Sequence, residues 1–315
     1  VENHLTSFLS ITWKLKRIGL LGCGAIGTQI AIAIDTGIIP ANLTHIFDTN
    51  KAAAETLVTK LKQRPIIVEN AHLLSSNPLD LVVEAASQQA VSDNALSILQ
   101  NRKDLMIMSA GALLDESVFE IISDACKEFK KTVYLPSGAI SGLDAIKSVR
   151  DELESVTITT IKHPRSLKGA KFFETSDIDL DSVSDATIIF EGTASEAVRL
   201  FPKNVNVSAL LSLAGLGSHE TIVKIVADPN IDKNIHQIES KGRFGKISTI
   251  VENVPDPTNP KTSRLAILSA IETLRSICSD GIKVGTWIFL VQFSEFSVYI
   301  TEYLKGDLGK IICTN

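Results

Sequence analysis

Long hydrophobic runs are missing from this 315-residue chain. The aromatic and apolar stretch from Trp287 to Phe293 falls well short of the roughly 20 residues a membrane-spanning helix needs. Cysteine is scarce as well. Cys23, Cys126, Cys278 and Cys313 lie far apart, with no CxxC pair and no metal-type spacing. That excludes a disulfide framework and leaves no metal expected; reduced thiols in a cytoplasmic protein are the simplest account. No run of Lys or Arg forms a basic stripe, and the net charge is −5. Neither nucleic acid nor a membrane is an expected partner. There is no GxSxG elbow, no HExxH helix and no paired His–Cys constellation, so hydrolase and metalloenzyme chemistry have no anchor.

What is present is a strand, a glycine turn and a helix in immediate succession. The apolar run Ile18–Leu21 feeds into Gly22-Cys23-Gly24-Ala25-Ile26-Gly27, and an apolar helical segment follows. Gly22 allows a tight turn, Gly24 lets the backbone approach a pyrophosphate, and Gly27 lets the helix lie close on its strand. Ala25 and Ile26 complete the loop. About twenty residues beyond the last glycine, Asp48 ends a second apolar segment where a ribose 2′-hydroxyl would sit. The constellation predicts NAD binding. A carboxylate there repels a 2′-phosphate, although nearby Lys51 keeps NADP open.

From Arg17 to about Tyr134, short apolar runs alternate with amphipathic segments. Ile18–Leu21, His45–Phe47, Ile66–Val68, Leu79–Glu84, Leu105–Ser109 and Thr132–Leu135 read as buried strands, with Lys51–Lys62, Gln89–Gln100 and Asp115–Lys130 as helices. The pattern predicts an α/β fold opening with a Rossmann doubly wound parallel sheet. Small-residue loops follow three of its strands, at Glu84–Ser87, Ser109–Ala112 and Pro136–Ala139, and Ala86 and Ser87 are the cofactor candidates in the first. After Gly142 the pattern shifts toward an α+β domain with a mainly antiparallel sheet. Behind a proline-rich break at 255–260, Ser263–Ser276 carries Leu265, Leu268, Ile271 and Leu274 at helical spacing and is expected to return to the first sheet. The expected organisation is a poorly ordered leader at 1–15 and a dinucleotide-binding domain at 16–138 plus 262–286. A substrate and dimerisation domain at 139–261 and an atypical aromatic tail at 287–315 complete it.

Seven blocks carry a family resemblance: Gly-Cys-Gly-Ala-Ile-Gly at 22–27, Val-Glu-Ala-Ala-Ser-Gln-Gln-Ala-Val at 83–91, Ser-Gly-Ala-Ile-Ser-Gly-Leu-Asp-Ala-Ile at 137–146, Phe-Glu-Gly-Thr-Ala-Ser-Glu-Ala at 190–197, Phe-Pro-Lys-Asn-Val-Asn-Val at 201–207, Asn-Ile-His-Gln-Ile at 234–238, and Glu-Asn-Val-Pro-Asp-Pro-Thr-Asn-Pro-Lys-Thr-Ser at 252–263. In these blocks the chain resembles the L-aspartate dehydrogenases of archaea and bacteria, from about Lys16 to Val284. The resemblance implies reversible oxidative deamination of L-aspartate to iminoaspartate, oxaloacetate and ammonia, with a possible link to NAD biosynthesis. It implies His236 as the catalytic histidine and Ala139 as a backbone contact to the cofactor. Asn206 would lie near the nicotinamide, Asn234 would help hold the substrate, and the protein would be a homodimer or larger.

The residues themselves leave alternatives open. Removing hydride from an amino acid needs a neutral amine, and imidazole is the base suited to that near neutral pH. His236 competes with His163 and His219, while His45, His72 and His4 sit in less suggestive places. A dicarboxylate needs cations and donors; Lys261, Arg165 and Lys168 are the candidate cations, with Thr262 and Ser263 as hydroxyl donors. A Rossmann oxidoreductase on another small carboxylate, homoserine-dehydrogenase-like or dihydrodipicolinate-reductase-like, is a second reading. A non-catalytic NAD-sensing protein is a third.

Overall fold

A computed structural model of the chain describes residues 15–202, 206–256 and 262–283. The expected leader up to residue 14, the aromatic tail and Lys261 lie outside the described residues.

The first sheet comprises β1 (Lys16–Leu21), β2 (Ala41–Phe47), β3 (Ile66–Ile67), β4 (Leu81–Glu84), β5 (Asp104–Ile107) and β6 (Val133–Tyr134). All pair in parallel, in the order β3-β2-β1-β4-β5-β6. Helices α1 (Ala25–Asp35), α2 (Lys51–Thr59), α3 (His72–Ser76), α4 (Gln88–Gln100) and α5 (Glu116–Phe129) connect them. The order reverses between β1 and β4, and ligands bind such sheets at that switch point, beyond the strands' carboxyl ends. Two separate apolar clusters cover the two faces, which is why the central strands read as unbroken hydrophobic runs. The helices start where local chemistry dictates: Ser87 accepts from the Ala90 amide at the head of α4, and Asp115 accepts from Ser117 and Val118 at the head of α5. The third expected strand is a correction. The strand covers Ile66 and Ile67, Val68 is buried and still donates to the Ile46 carbonyl, but Ile66 is 60% exposed because β3 is the edge of the sheet.

The second sheet is mainly antiparallel. Between the sheets runs the short helix α6 (Leu143–Ser148), and the strands are β7 (Leu153–Lys162), β8 (Thr187–Thr193), β9 (Thr221–Ala227), β10 (Asn234–Gly242) and β11 (Gly245–Asn253). Their order is β11-β10-β7-β9-β8, with β7 and β9 the one parallel pair. The helices α7 (Pro164–Leu167), α8 (Ala194–Leu200) and α9 (Asn206–Ala214) are interleaved among them. A capping box between Thr193 and Glu196 opens α8. Almost every residue of α9 is buried, and its Leu210 and Leu211 join Ile158, Val223 and Ile225 in the core of this half.

The last described helix, α10 (Arg264–Cys278), returns to the first sheet and packs on α1 through Ala270 and Leu274. Its buried stripe is Ile267, Ala270, Thr273 and Leu274, while Leu265 and Leu268 face solvent. Of the expected stripe Leu265, Leu268, Ile271 and Leu274, the structure buries Leu274 and packs Ile271 against the core, while the first two turn out. The small Ala270 turns inward instead because it lets two helices approach closely. Among the described residues no helix is long and apolar enough to cross a membrane.

This phase has a direct consequence. Leu274→Ala should destabilise the protein by about 3 kcal/mol, as a fully buried leucine does, whereas Leu268→Ala should stay within about 0.5 kcal/mol in the same urea titration.

Candidate functional site

The glycine loop is built as a contact surface. Gly22 has a φ of +105°, and a Cβ there would meet the Ala85 carbonyl at 2.5 Å. A Cβ on Gly27 would lie 2.0 Å from the Gly22 carbonyl. Gly24 differs: a Cβ there would meet nothing within 4 Å. Its missing side chain opens space rather than relieving a clash. α1 carries neither a capping side chain nor an acidic residue in its first turn, so its leading N–H groups face that space. A dinucleotide's phosphates fit this cradle.

Asp48 is held against the loop. Its Oδ2 accepts from the Cys23 amide at 2.7 Å and its Oδ1 from the Asn50 amide at 2.7 Å. The Cys23 thiol is buried and pushed up to about 12, by desolvation first and the Asp48 charge second. It is therefore a packed thiol with no nucleophilic character. Gly22, Gly24, Asp48, Ala86 and Ser87 line one cleft of about 540 Å³.

A residue the motifs do not flag organises the neighbouring loops. Glu84, 1% exposed, ends β4. Its carboxylate accepts from the amides of Ala86 (2.7 Å), Met108 (3.2 Å) and Ser109 (3.0 Å) and from the Ser109 hydroxyl (2.8 Å). Burial pushes the carboxyl up while these four donors oppose it, and four donors suit the anion better than the acid. The same tie carries on across the molecule, because Gly111 donates to Asn206 Oδ1 at 3.3 Å.

On the other side of the glycine loop lies a smaller cavity of about 130 Å³, shared by both sheets. Ile26, Met108 and Ala139 line it together with Asn206, His236, Lys162 and Thr262. His236 is 3% exposed on β10, directly opposite Thr160 on β7, and its Nδ1 lies 3.0 Å from the Thr160 hydroxyl. Burial, and secondarily the Lys162 charge, pulls the imidazole down to about 3, so it is neutral at physiological pH. Asn234 is buried on the same face, opposite Asn253 of β11. Its Nδ2 is enclosed without a hydrogen-bond partner, while Asn253 donates to the Ala139 carbonyl at 3.0 Å. Asn253 Oδ1, on the opposite strand, is likewise enclosed without a partner.

The other candidates lie elsewhere. His163 caps the short helix α7 by accepting from the Arg165 amide, and His219 pairs with Glu116 on the surface. Arg165 and Lys168 are exposed, and Lys168 pairs with Asp181. Among the described residues, the cation that lines the cavity is Lys162, the last residue of β7 and 4% exposed. Sequence reading passes over it because it closes an alternating strand, where a lysine reads as a solvated end. The period-2 pattern through Thr160 was the available signal.

Known proteins resemble the chain over most of its length. Residues 144–277 match the family described as aspartate dehydrogenase, C-terminal, and residues 22–136 match the homoserine dehydrogenase NAD-binding domain. An L-aspartate dehydrogenase of Nitrosopumilus maritimus is 67% identical over 272 residues, which is 86% of this chain and 100% of that protein. The chain belongs to the L-aspartate dehydrogenase family. Another member, from Methanocella arvoryzae, is 48% identical across 86% of this chain and 99% of its own. The solved aspartate dehydrogenase of Thermotoga maritima superposes with a TM-score of 0.68 at 30% identity, covering 86% of this chain and all of that one. A nicotinamide cofactor is the group this family's first sheet takes.

Two measurements test this geometry. Gly24→Ala should melt within about 2 °C of wild type yet bind NADH at least about tenfold more weakly, whereas Gly27→Ala should lose fold stability itself. For His236, the folded imidazole (about 3) lies below its ordinary 6.5. The unfolded chain therefore binds the extra proton, and stability falls as pH drops from 6.5 toward 3. In acid titrations followed by circular dichroism, His236→Asn should lose less stability across that window than wild type.

Proposed function

We propose that this chain catalyses the reversible, NAD-dependent oxidative deamination of L-aspartate to oxaloacetate and ammonia, with His236 as the acid–base residue. The observation that carries the reading is a neutral, buried imidazole anchored through Nδ1 to Thr160, in a cavity that adjoins the glycine loop. With Nδ1–H donating to Thr160, Nε2 is the basic nitrogen and makes no hydrogen bond among the described residues. A bound nicotinamide supplies the hydride acceptor. His236 takes the proton from the substrate's amine, so that the nitrogen lone pair assists departure of hydride from Cα and an imine forms. The same residue then activates the water that adds to the imine carbon and returns a proton to the departing ammonia. Asn206, tied to the Gly111 amide, orients the cofactor at the mouth of the cavity, as does the backbone of Ala139. Asn234 and Thr262 supply donors to the substrate, with Lys261, next to Thr262 in the sequence, as the candidate cation. Asp48 favours NAD over NADP, because its fixed carboxylate stands where a 2′-phosphate would bring further negative charge.

The decisive experiment follows NADH absorbance while the purified protein receives oxaloacetate with and without ammonia. Ammonia-dependent oxidation, reduced at least about 10³-fold in His236→Ala at unchanged NADH affinity, is the expected result. Oxidation without ammonia would mean a hydroxy-acid dehydrogenase. Tight NADH binding with no oxidation would leave a sensor and overturn the reading.

A further inference from the structure

We propose that Asn253 is a positioning residue, whose side-chain amide clamps the loop after β6 to the strand pair that carries His236. It thereby sets how the cofactor loop stands relative to the base. The inference rests on the proposed aspartate reaction and deepens it. Asn253 is the last residue of β11 and 2% exposed, and its Nδ2 donates to the Ala139 carbonyl at 3.0 Å. It acts at one remove, because it is Gly138 and Ala139 that line the cavity together with His236. The strand ladder completes the link. Asn253 stands directly opposite Asn234, two residues from His236 on β10. Just beyond it, Val254 accepts from the Arg264 amide and the Asp256 amide donates to the Thr262 carbonyl, which ties β11 to the segment before α10. Thr262 and Ser263 form another side of the cavity. Asn253 therefore lies where the base strand, the hydroxyl donors and the cofactor loop meet.

The loop needs such a restraint. Gly138 (φ +65°) and Gly142 (φ +82°) bracket it in left-handed backbone, which glycine enters and leaves at little cost. Among the described residues, no backbone–backbone hydrogen bond ties residues 137–141 to another segment. What remains is apolar packing, with Ile140 buried and Gly138 against Leu210. Hydrophobic contact is non-directional, whereas a hydrogen bond fixes both a distance and an angle. Without the Asn253 amide, Ala139 could shift while the core around Ile140 stayed intact. Hydride transfer is sensitive to such a shift, since a misplacement of about 1 Å costs about 100-fold in rate. Cofactor affinity is less so, because Gly22, Gly24 and the Asp48 carboxylate line a separate cleft.

The test compares the full-length wild type with Asn253→Ala and with Asn253→Leu, which keeps the size but lacks a donor. Thermal melts report folding. NAD-loaded protein is mixed rapidly with L-aspartate, and Cα-deuterated aspartate verifies that the first absorbance rise is hydride transfer. The amplitude of that rise counts competent molecules, and its rate constant reports geometry. Both variants should keep the amplitude and lose roughly 30-fold to 100-fold in the rate constant, with NAD affinity within about threefold of wild type. The emission of bound NADH, which reports how firmly the nicotinamide is held, should fall in both. A merely structural asparagine would lower melting temperature and amplitude together and leave the rate constant of the surviving molecules unchanged. That result would overturn the proposal. So would a folded variant with rate constant and emission both unchanged. Should Asn253→Ala not fold, Asn253→Leu carries the test. If the wild type binds NADH but aspartate leaves NAD unreduced, the aspartate reaction fails, and the clamp then stands or falls on the emission of bound NADH.

Discussion

The pairing of β10 on β7 is the constraint on which the site depends. It sets His236 opposite Thr160 and brings Asn234 level with Lys162, all four on the face turned toward the first sheet's glycine loop. Side chains alternate along a strand, so a slip of one residue would turn the imidazole, the ammonium and the amide to the opposite face together. The long antiparallel pairing of β10 with β7 on one side and β11 on the other prevents that slip. The chemistry is thus fixed by backbone hydrogen bonds, with side-chain contacts only refining it.

Two buried polar arrangements of opposite sign meet across the cleft. In the first sheet Glu84 is an anion satisfied by four donors, and it ties together the loops after β4 and β5. That arrangement is complete without a ligand, as rigid scaffolding should be. In the second sheet Lys162 and His236 line one cavity, and Asn234, two residues from His236 on the same face of β10, keeps its Nδ2 enclosed without a hydrogen-bond partner. That arrangement leaves polar atoms without partners on both strands, Asn234 Nδ2 on β10 and Asn253 Oδ1 on β11. The hydrogen bond from Gly111 to Asn206 joins the two halves.

Much of this was legible from local chemistry. The order of strand, glycines and helix reports steric facts about Gly22 and Gly27 that hold in any surroundings, and Asp48 follows at a spacing set by one crossover unit. Elements whose faces are decided by distant neighbours were harder. The apolar residues of α10 suggest a stripe through Leu265, Leu268, Ile271 and Leu274; the helix packs on α1 through Ala270 and Leu274 and turns Leu265 and Leu268 to solvent. Ile66 read as buried and lies on an edge, because nothing in its own segment tells which strand ends a sheet. Lys162 was passed over for the same reason, since a lysine at a strand's end is ordinarily solvated. Only the layer packed over it makes it a buried cation.

The sequence by itself determined the order of elements, the doubly wound character of the first sheet, the glycine cradle with its carboxylate, and the family. These depend on backbone sterics and on periodicities that each segment carries within itself. The tertiary structure alone decided which cation faces the histidine and which amide is left without a partner. It also decided how strongly burial holds the imidazole neutral. Those properties arise when strands some seventy residues apart in the chain pair and are then covered, and no single segment contains them.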